Sequence, residues 1–320
     1  MDYLNTIGSC CQIECEYIDE NGNIPDSLID YRKNNSICIK RCHIKYNIKI
    51  GSIRNAKWVH IESDISTTFD NFFQVVMTIF RFENLFEGKF FRIKTCIFDQ
   101  NDMLCQVNKH LIGYAISTKN MCCFYELCRF TNTEYKKLYC AFDRYLQKHL
   151  LQYQISLFAA YLNNAPADMR LAQFLEVLEP MADEMNSRGM INLSSAPFRI
   201  VSKKCKCGRL VSERIPNRGV HFEEKITALV KKYGKDIFKG DPISKVVKKA
   251  VETRNKVDHA SVKRNAMSGG ECAFYLFKFF LLYRVIVMQE MGISYDRIRG
   301  RVMVLTEDFN NRFADYRIRP

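Results

Sequence analysis

Apolar and polar residues alternate from His43 to Asp64, and this period of two predicts β-strands with one buried face. Two strands are expected there, with the sequences HIKYNIKIGS and KWVHIES. Residues 67–86 change to helical spacing after a start rich in Ser, Thr and Asp, which favours a capped helix. Alternation returns at 89–98 and 122–130 and predicts further strands, whereas the cysteine-rich residues 1–40 are expected to be irregular.

From about Tyr139 onward, the apolar residues take the spacing of amphipathic helices. Five helices are predicted, over residues 142–162, 168–185, 220–238, 243–260 and 273–288. We expect Gly269 and Gly270 to interrupt the chain before the last helix, and Gly292 to cap its C-terminus. Short connections between these helices predict an antiparallel bundle.

The change of pattern between residues 140 and 150 predicts a domain boundary. We therefore expect an α+β protein, with a mixed α/β domain over residues 1–150 and an all-α helical bundle over residues 151–320. A chain of 320 residues is long enough for two domains with separate cores. The sequence contains no glycine-rich phosphate loop and no serine nucleophile elbow, which argues against nucleotide-binding enzymes and serine hydrolases.

The longest apolar run, residues 273–288, is interrupted by Lys278 and Arg284 and is shorter than the roughly 20 residues that cross a bilayer. The N-terminus has neither a basic leader nor an apolar stretch of signal-peptide length. We therefore expect a cytoplasmic protein that does not associate with membranes. Its 14 cysteines are then expected to be mostly reduced thiols.

One cysteine group invites a metal-site interpretation, because Cys205, Cys207 and His221 could meet other ligands in space. No cysteine pair in the chain has the C-x2-C spacing of a zinc finger. Small buried thiols are the more ordinary explanation, so neither a metal nor a cofactor is expected.

The net charge of +13 is confined to the C-terminal part of the chain. Residues 201–320 contain 26 Lys and Arg against 13 Asp and Glu, and the excess is densest from Lys203 to Arg264, with 18 basic and 7 acidic residues. Such a concentration suits a polyanion such as nucleic acid. A solvated basic face without a ligand would have the same composition.

Arg254, Asn255 and His259 lie close together in a stretch that otherwise has helical spacing. On a helix Asn255 and His259 share a face, and the long side chain of Arg254 reaches the same region. An ordinary interpretation also fits, in which Arg254 and Asp258 form an ion pair on an exposed helix face beside a solvated Asn and a His near the helix end. The spacing alone does not decide between them.

Residues 254–259 resemble the R-x4-6-H motif of HEPN superfamily ribonucleases, in which Asn often follows the Arg. Residues 173–181 and 280–294 are similar, in sequence and order, to helices of the ApeA-like branch, which is named for a bacterial anti-phage abortive-infection protein. The resemblance covers about residues 165–300. It implies that the bundle is a HEPN nuclease domain and that the N-terminal domain senses infection or restrains the nuclease.

The resemblance also implies a reaction, in which the 2′-hydroxyl of RNA attacks the adjacent phosphorus without a metal ion. His259 would transfer the proton, Arg254 would stabilise charge on the phosphoryl oxygens, and Asn255 would orient His259 or the phosphate. The products would carry 2′,3′-cyclic phosphate and 5′-hydroxyl ends. HEPN motifs act in pairs across a dimer interface, so the one motif of this chain implies a homodimer.

Further residues are expected to assist this endoribonuclease. Contacts to the RNA backbone are expected from Lys248, Lys249, Lys256, Lys263 and Arg264. Glu179 matches an acidic position of the family, and both Glu179 and Asp258 are expected to support the motif. The expected partners are RNA, with tRNA as one candidate, a second copy of the chain and a phage-derived activator. Two alternatives stay open: a non-catalytic HEPN module that binds RNA or a partner protein through its basic face, and a purely structural helical module.

Overall fold

A computed structural model describes residues 7–18, 35–41, 43–53, 56–87, 90–98, 130–161, 165–193, 198–204, 209–216, 220–259 and 266–319 of the chain. The strands in this part are β1 (Ile7–Ile18), β2 (Asn35–Arg41), β3 (Ile44–Ile53), β4 (Ala56–Thr68), β5 (Phe90–Phe98), β6 (Phe198–Lys204) and β7 (Leu210–Pro216). The helices there are α1 (Phe69–Glu87), α2 (Asn132–Tyr161), α3 (Ala167–Ser187), α4 (Phe222–Tyr233), α5 (Ile243–Asp258), α6 (Gly269–Glu290) and α7 (Tyr295–Arg312). The predicted α+β class is confirmed.

The N-terminal strands form an antiparallel sheet with the order β2-β3-β4-β1-β5. Its buried face carries Ile48, Ile61 and Ile13, as the alternating pattern requires. Helix α1 covers this face, where Phe72 lies edge-on to Tyr46 at 5.7 Å and to Phe98 at 5.4 Å between ring centroids. Burial of these aromatic side chains holds the helix against the sheet.

Trp58 is the single tryptophan of the chain and lies on β4, directly across from Gly51 of β3. A Cβ atom at position 51 would overlap the indole ring, so glycine is what allows the ring to lie over the neighbouring strand. Trp58 is half-buried and belongs to the sheet, as its position in an alternating segment predicts.

The expectation that residues 1–40 are irregular is wrong for β1 and β2. Strand β1 does alternate, but cysteine occupies one of its inward positions: Cys11 and Ile13 are fully buried, whereas Gln12 and Glu14 are exposed. A reduced cysteine behaves as a small hydrophobic residue, so the pattern is visible only when it is counted as apolar. Of the predicted strand 122–130, residues 122–129 lie outside the described residues.

The helices predicted after Tyr139 are all present. The structure adds a two-stranded hairpin and one more helix, and it corrects the predicted role of Gly269 and Gly270. A β6–β7 hairpin lies between α3 and α4, and α7 follows α6. Gly269 and Gly270 do not interrupt the chain before α6 but form its first turn. Gly292 has a φ of +91° just beyond the end of α6, which confirms it as the residue that ends the helix.

The chain divides into two compact units. The first comprises Met1–Leu151 with Val287–Arg301, and the second comprises Gln152–Ile286 with Val302–Pro320. Helix α2 continues through residue 150 and has a non-helical backbone at His149. The division into domains 1–150 and 151–320 stays a prediction. None of the helices in the described ranges is long and apolar enough to cross a membrane.

Most residues of helix α6 are buried, and the part of the helix in the second unit carries a charged residue, Lys278, in apolar surroundings. The side chain of Lys278 is 1% exposed, and its ammonium group pairs at 2.6 Å with the carboxylate of Asp241, whose side chain is fully buried. Arg317 donates to the other oxygen of the same carboxylate at 2.5 Å. The pair is surrounded by aromatic rings, with Phe274 at 4.9 Å from the ammonium nitrogen. These contacts join α6 to the segment before α5 and to the C-terminal residues.

Candidate active site

Helix α5 carries the motif in its last turns. Val246, Val247 and Ala250 are buried along one stripe, which fixes how the helix is rotated against its neighbours. Helical geometry ends at Asp258, and His259 follows with φ −108° and ψ 7°. The backbone N–H of His259 still donates to the carbonyl of Asn255 at 3.2 Å. His259 therefore has a defined backbone position at the helix end.

The guanidinium of Arg254 lies where α3, α4 and α5 meet. Its Nε atom forms a short ion pair with Glu176 of α3 and lies 3.0 Å from Asp258. Its Nη1 atom donates to Oδ1 of Asn255 at 3.4 Å, and its Cζ atom lies over the ring of Phe222, 4.7 Å from the ring centroid. The i,i+4 pair of Arg254 and Asp258 is present, as the ordinary interpretation required, but the side chain is only 23% exposed.

The charge of Arg254 is stabilised by its neighbours in this position. Burial by itself lowers the pKa of Arg254, but the hydrogen bond and negative charge of Glu176 outweigh it, with smaller contributions from Asp258 and Glu179, so the pKa is raised. Arg254 is thus a permanent cation held by carboxylates on one edge and an aromatic ring on one face.

A row of acidic residues on α3 faces Arg254 of α5 and Lys225 of α4. Glu176, Glu179 and Asp183 are three and four residues apart and therefore lie on one face of the helix. Lys225 of α4 bridges the last two, at 3.0 Å from Glu179 and 2.7 Å from Asp183. Burial lowers the pKa of Lys225, but its two carboxylate partners raise it by more. Glu179 therefore contacts Lys225 directly and affects Arg254 only through its charge.

The side chain of His259 is exposed. Among the described residues, no hydrogen bond or ion pair joins its imidazole to Arg254 or Asn255. The structure thus brings together Arg254, Asn255 and Asp258, whereas His259 is linked to them through the backbone. Within one chain, the imidazole is available to solvent and to a ligand.

The five predicted RNA-binding residues differ in their surroundings. Lys248 is exposed, whereas Lys249 pairs with Glu271 at 2.6 Å and Lys256 with Asp168 at 3.3 Å. Lys263 and Arg264 lie outside the described residues. Lys248 and Asn255 are seven residues apart and therefore lie on one face of α5, at the end of which His259 follows.

Sequence reasoning missed Glu176, Phe222 and Thr253, which all contact or adjoin the motif. Thr253 is buried and donates its hydroxyl hydrogen to the carbonyl of Lys249 at 2.8 Å. One signal was available for Glu176, because it shares a helix face with Glu179 at i,i+3 spacing. No local signal marks Phe222, since its contact with Arg254 depends on how two helices pack.

The metal-site interpretation of Cys205, Cys207 and His221 is not tested by the described part of the chain. Cys205 and Cys207 lie outside the described residues. His221 precedes α4, where its backbone N–H donates to the side chain of Glu224 at 3.2 Å and so helps to cap the helix. The described ranges contain no group of three or more His, Cys, Asp or Glu residues arranged to hold a metal ion.

Comparison with known proteins identifies the region that contains this site. The family model described as Apea-like HEPN matches residues 172–297, which include the acidic row of α3 and the motif of α5. No curated protein and no solved structure matches the chain. The matched part is less than half of the chain, and it is helical apart from the β6–β7 hairpin in the described ranges. Residues 172–297 are therefore an ApeA-like HEPN domain.

Proposed function

We propose that this protein is a metal-independent endoribonuclease in which Arg254, Asn255 and His259 form the active site. RNA would supply its own nucleophile, the 2′-hydroxyl, which attacks the adjacent phosphorus and displaces the 5′-oxygen of the next nucleotide. His259 would transfer the proton, because imidazole can gain and lose one near neutral pH. Arg254 would stabilise the negative charge that builds on the phosphoryl oxygens.

The observation that carries the proposal is the placement of the motif within a HEPN domain, a domain type that suggests nuclease or RNA-related function. Arg254 is a permanent cation with a constrained orientation, as a phosphate-binding group in an active site must be. His259 is exposed at the end of the same helix, where an RNA could reach its imidazole.

The composite site of a homodimer is part of the proposal. Because no hydrogen bond or ion pair joins the side chains of His259 and Arg254 in the described residues of one chain, two chains would bring together the groups that one reaction needs. We further propose that the RNA includes tRNA, that the protein acts in abortive-infection defence, and that a phage product releases the activity.

Total tRNA incubated with the purified protein in excess EDTA tests the chemistry. We expect cleavage products with 2′,3′-cyclic phosphate and 5′-hydroxyl ends, and His259→Ala should reduce the rate by about 100-fold or more. His221→Ala is a matched control, because it removes another exposed histidine at a helix end in the same unit. A folded His259→Ala protein that cuts at the wild-type rate would exclude the proposed mechanism, as would a requirement for Mg²⁺.

RNA binding separates this proposal from a non-catalytic HEPN module. If the protein is an enzyme, His259→Ala should lose cleavage and keep its affinity for RNA, whereas Arg254→Ala should lose both cleavage and part of the affinity. Binding without any cleavage by the wild-type protein would favour the module. Restored cleavage on mixing the His259→Ala and Arg254→Ala variants would indicate that one intact site can be assembled from two chains.

A further inference from the structure

The orientation of Arg254 is decided by the contacts at its Nε edge. An arginine can offer a phosphate either the edge with Nε and one Nη atom or the edge with both Nη atoms. Here Nε is engaged by Glu176 and lies 3.0 Å from Asp258. Among the described residues, the edge with both Nη atoms has one hydrogen bond, a long one from Nη1 to Asn255 at 3.4 Å. The edge with both Nη atoms is thus the one that can bind two phosphoryl oxygens.

Glu176, and not Asp258, determines which way this edge points. Asp258 lies one turn after Arg254 on α5, so their pair runs along the helix surface and does not connect the guanidinium to another helix. Glu176 belongs to α3, 78 positions earlier in the chain, and draws the guanidinium across to that helix. This contact places the planar group over Phe222, whose ring restricts rotation on one face.

Glu179 has a different role from Glu176, although both lie on the same face of α3. Its carboxylate is engaged by Lys225 at 3.0 Å, and the same ammonium group bridges to Asp183. Glu176 is therefore the residue of the acidic row that contacts the motif directly.

We infer that Glu176 is a positioning residue for the proposed reaction: it holds the Nε edge of Arg254 so that the two Nη atoms face the scissile phosphate. This inference rests on the proposed function. Loss of Glu176 leaves the cation in place but frees its orientation, so the transition state loses stabilisation while RNA affinity changes little. The expected signature is a lower kcat with a nearly constant KM.

Glu176→Gln tests this, with Glu184→Gln as the matched control. Both changes remove one negative charge from α3, but Glu184 pairs with Arg188 at 3.9 Å and lies beyond the row that faces the motif. For Glu176→Gln we expect kcat to fall by about 10- to 100-fold, with KM within about twofold, and for the control we expect wild-type values. Glu176→Asp should recover part of the activity, because it keeps the charge.

Solvent exchange of the Arg254 Nε–H, followed by NMR on nitrogen-labelled protein, gives a readout independent of cleavage. This exchange should be slow in the wild-type protein and at least tenfold faster in Glu176→Gln, with the control unchanged. Unchanged exchange, or an unchanged kcat in Glu176→Gln while His259→Ala is inactive, would overturn the positioning role and leave the proposed function standing. Tighter RNA binding with faster cleavage would also overturn it, since Glu176 would then restrain Arg254. A wild-type protein that does not cut RNA would overturn both.

Discussion

The hydroxyl of Thr253 accepts the backbone N–H of Met267 at 2.8 Å, and so joins the end of α5 to the residues that lead into α6. The same hydroxyl donates to the carbonyl of Lys249, so both of its hydrogen-bonding functions are used. Thr253 immediately precedes Arg254 in the chain. The position of the candidate active site therefore depends on a buried hydroxyl that takes no part in the proposed chemistry.

Thr253→Val should show the contribution of that bond. Valine has nearly the shape of threonine but leaves the buried N–H of Met267 without its acceptor, which costs about 1–3 kcal/mol of unfolding free energy. Thr253→Ser keeps the hydroxyl and should lose less. Urea unfolding of the three proteins measures the difference, and a wild-type midpoint for Thr253→Val would show that the hydroxyl contributes nothing.

Asp241→Asn should strongly destabilise the second unit. The substitution leaves Lys278 buried without a counter-ion, and loss of one partner from a buried pair typically costs about 3–5 kcal/mol. Burial already lowers the pKa of Lys278, and the negative charge of Asp241 acts in the opposite direction. Asp308→Asn, at an exposed ion pair with Arg312, is the control and should be nearly neutral. Thermal melting distinguishes the two, and similar midpoints would contradict the prediction.

The contact between Glu271 and Lys249 should make stability depend on pH. Burial raises the pKa of Glu271, but hydrogen bonds from Lys249 and from the backbone of Ser268 lower it by more, so the folded-state pKa lies below the ordinary value of 4.5. Its stabilising contribution is present above the unfolded-state pKa and is lost as the pH falls through the folded-state pKa. The stability difference between the wild type and Glu271→Gln should therefore shrink from pH 6 downward through about pH 4. Denaturant titrations at several pH values measure it, and a difference that grows on acidification would refute it.

Removal of Lys248 should weaken RNA binding without altering sequence preference. Each lost phosphate contact reduces the slope of log affinity against log salt concentration by about 1. Lys248 is exposed on the face of α5 that also carries Asn255. Lys249→Gln should have a smaller effect, because Lys249 already pairs with Glu271. Lys137→Gln removes an exposed lysine from the first unit and serves as the control. An unchanged salt slope for Lys248→Gln would remove this residue from the interface.

Local periodicity predicted the helix that carries the motif but not the contacts of its charged residues. Helix α5 was expected over residues 243–260 and spans Ile243–Asp258, because its stripe of buried residues is strong enough to be read from the sequence. The ion pair between Glu176 and Arg254 could not be predicted from local periodicity, because it depends on how α3 packs against α5 and joins residues 78 positions apart in the chain. Strand β1 was missed for a different reason. The cysteine-rich segment was expected to be irregular, although Cys11 occupies a buried, inward-facing position of the strand.

The position of the single tryptophan has a practical consequence for measuring how the protein unfolds. Trp58 lies in the sheet of the first unit, against Gly51, and the second unit contains no tryptophan. Tryptophan fluorescence therefore reports the loss of the sheet, whereas circular dichroism at helical wavelengths is dominated by the helices. If the two signals change at different denaturant concentrations, the units unfold separately; if they coincide, the units unfold as one cooperative system.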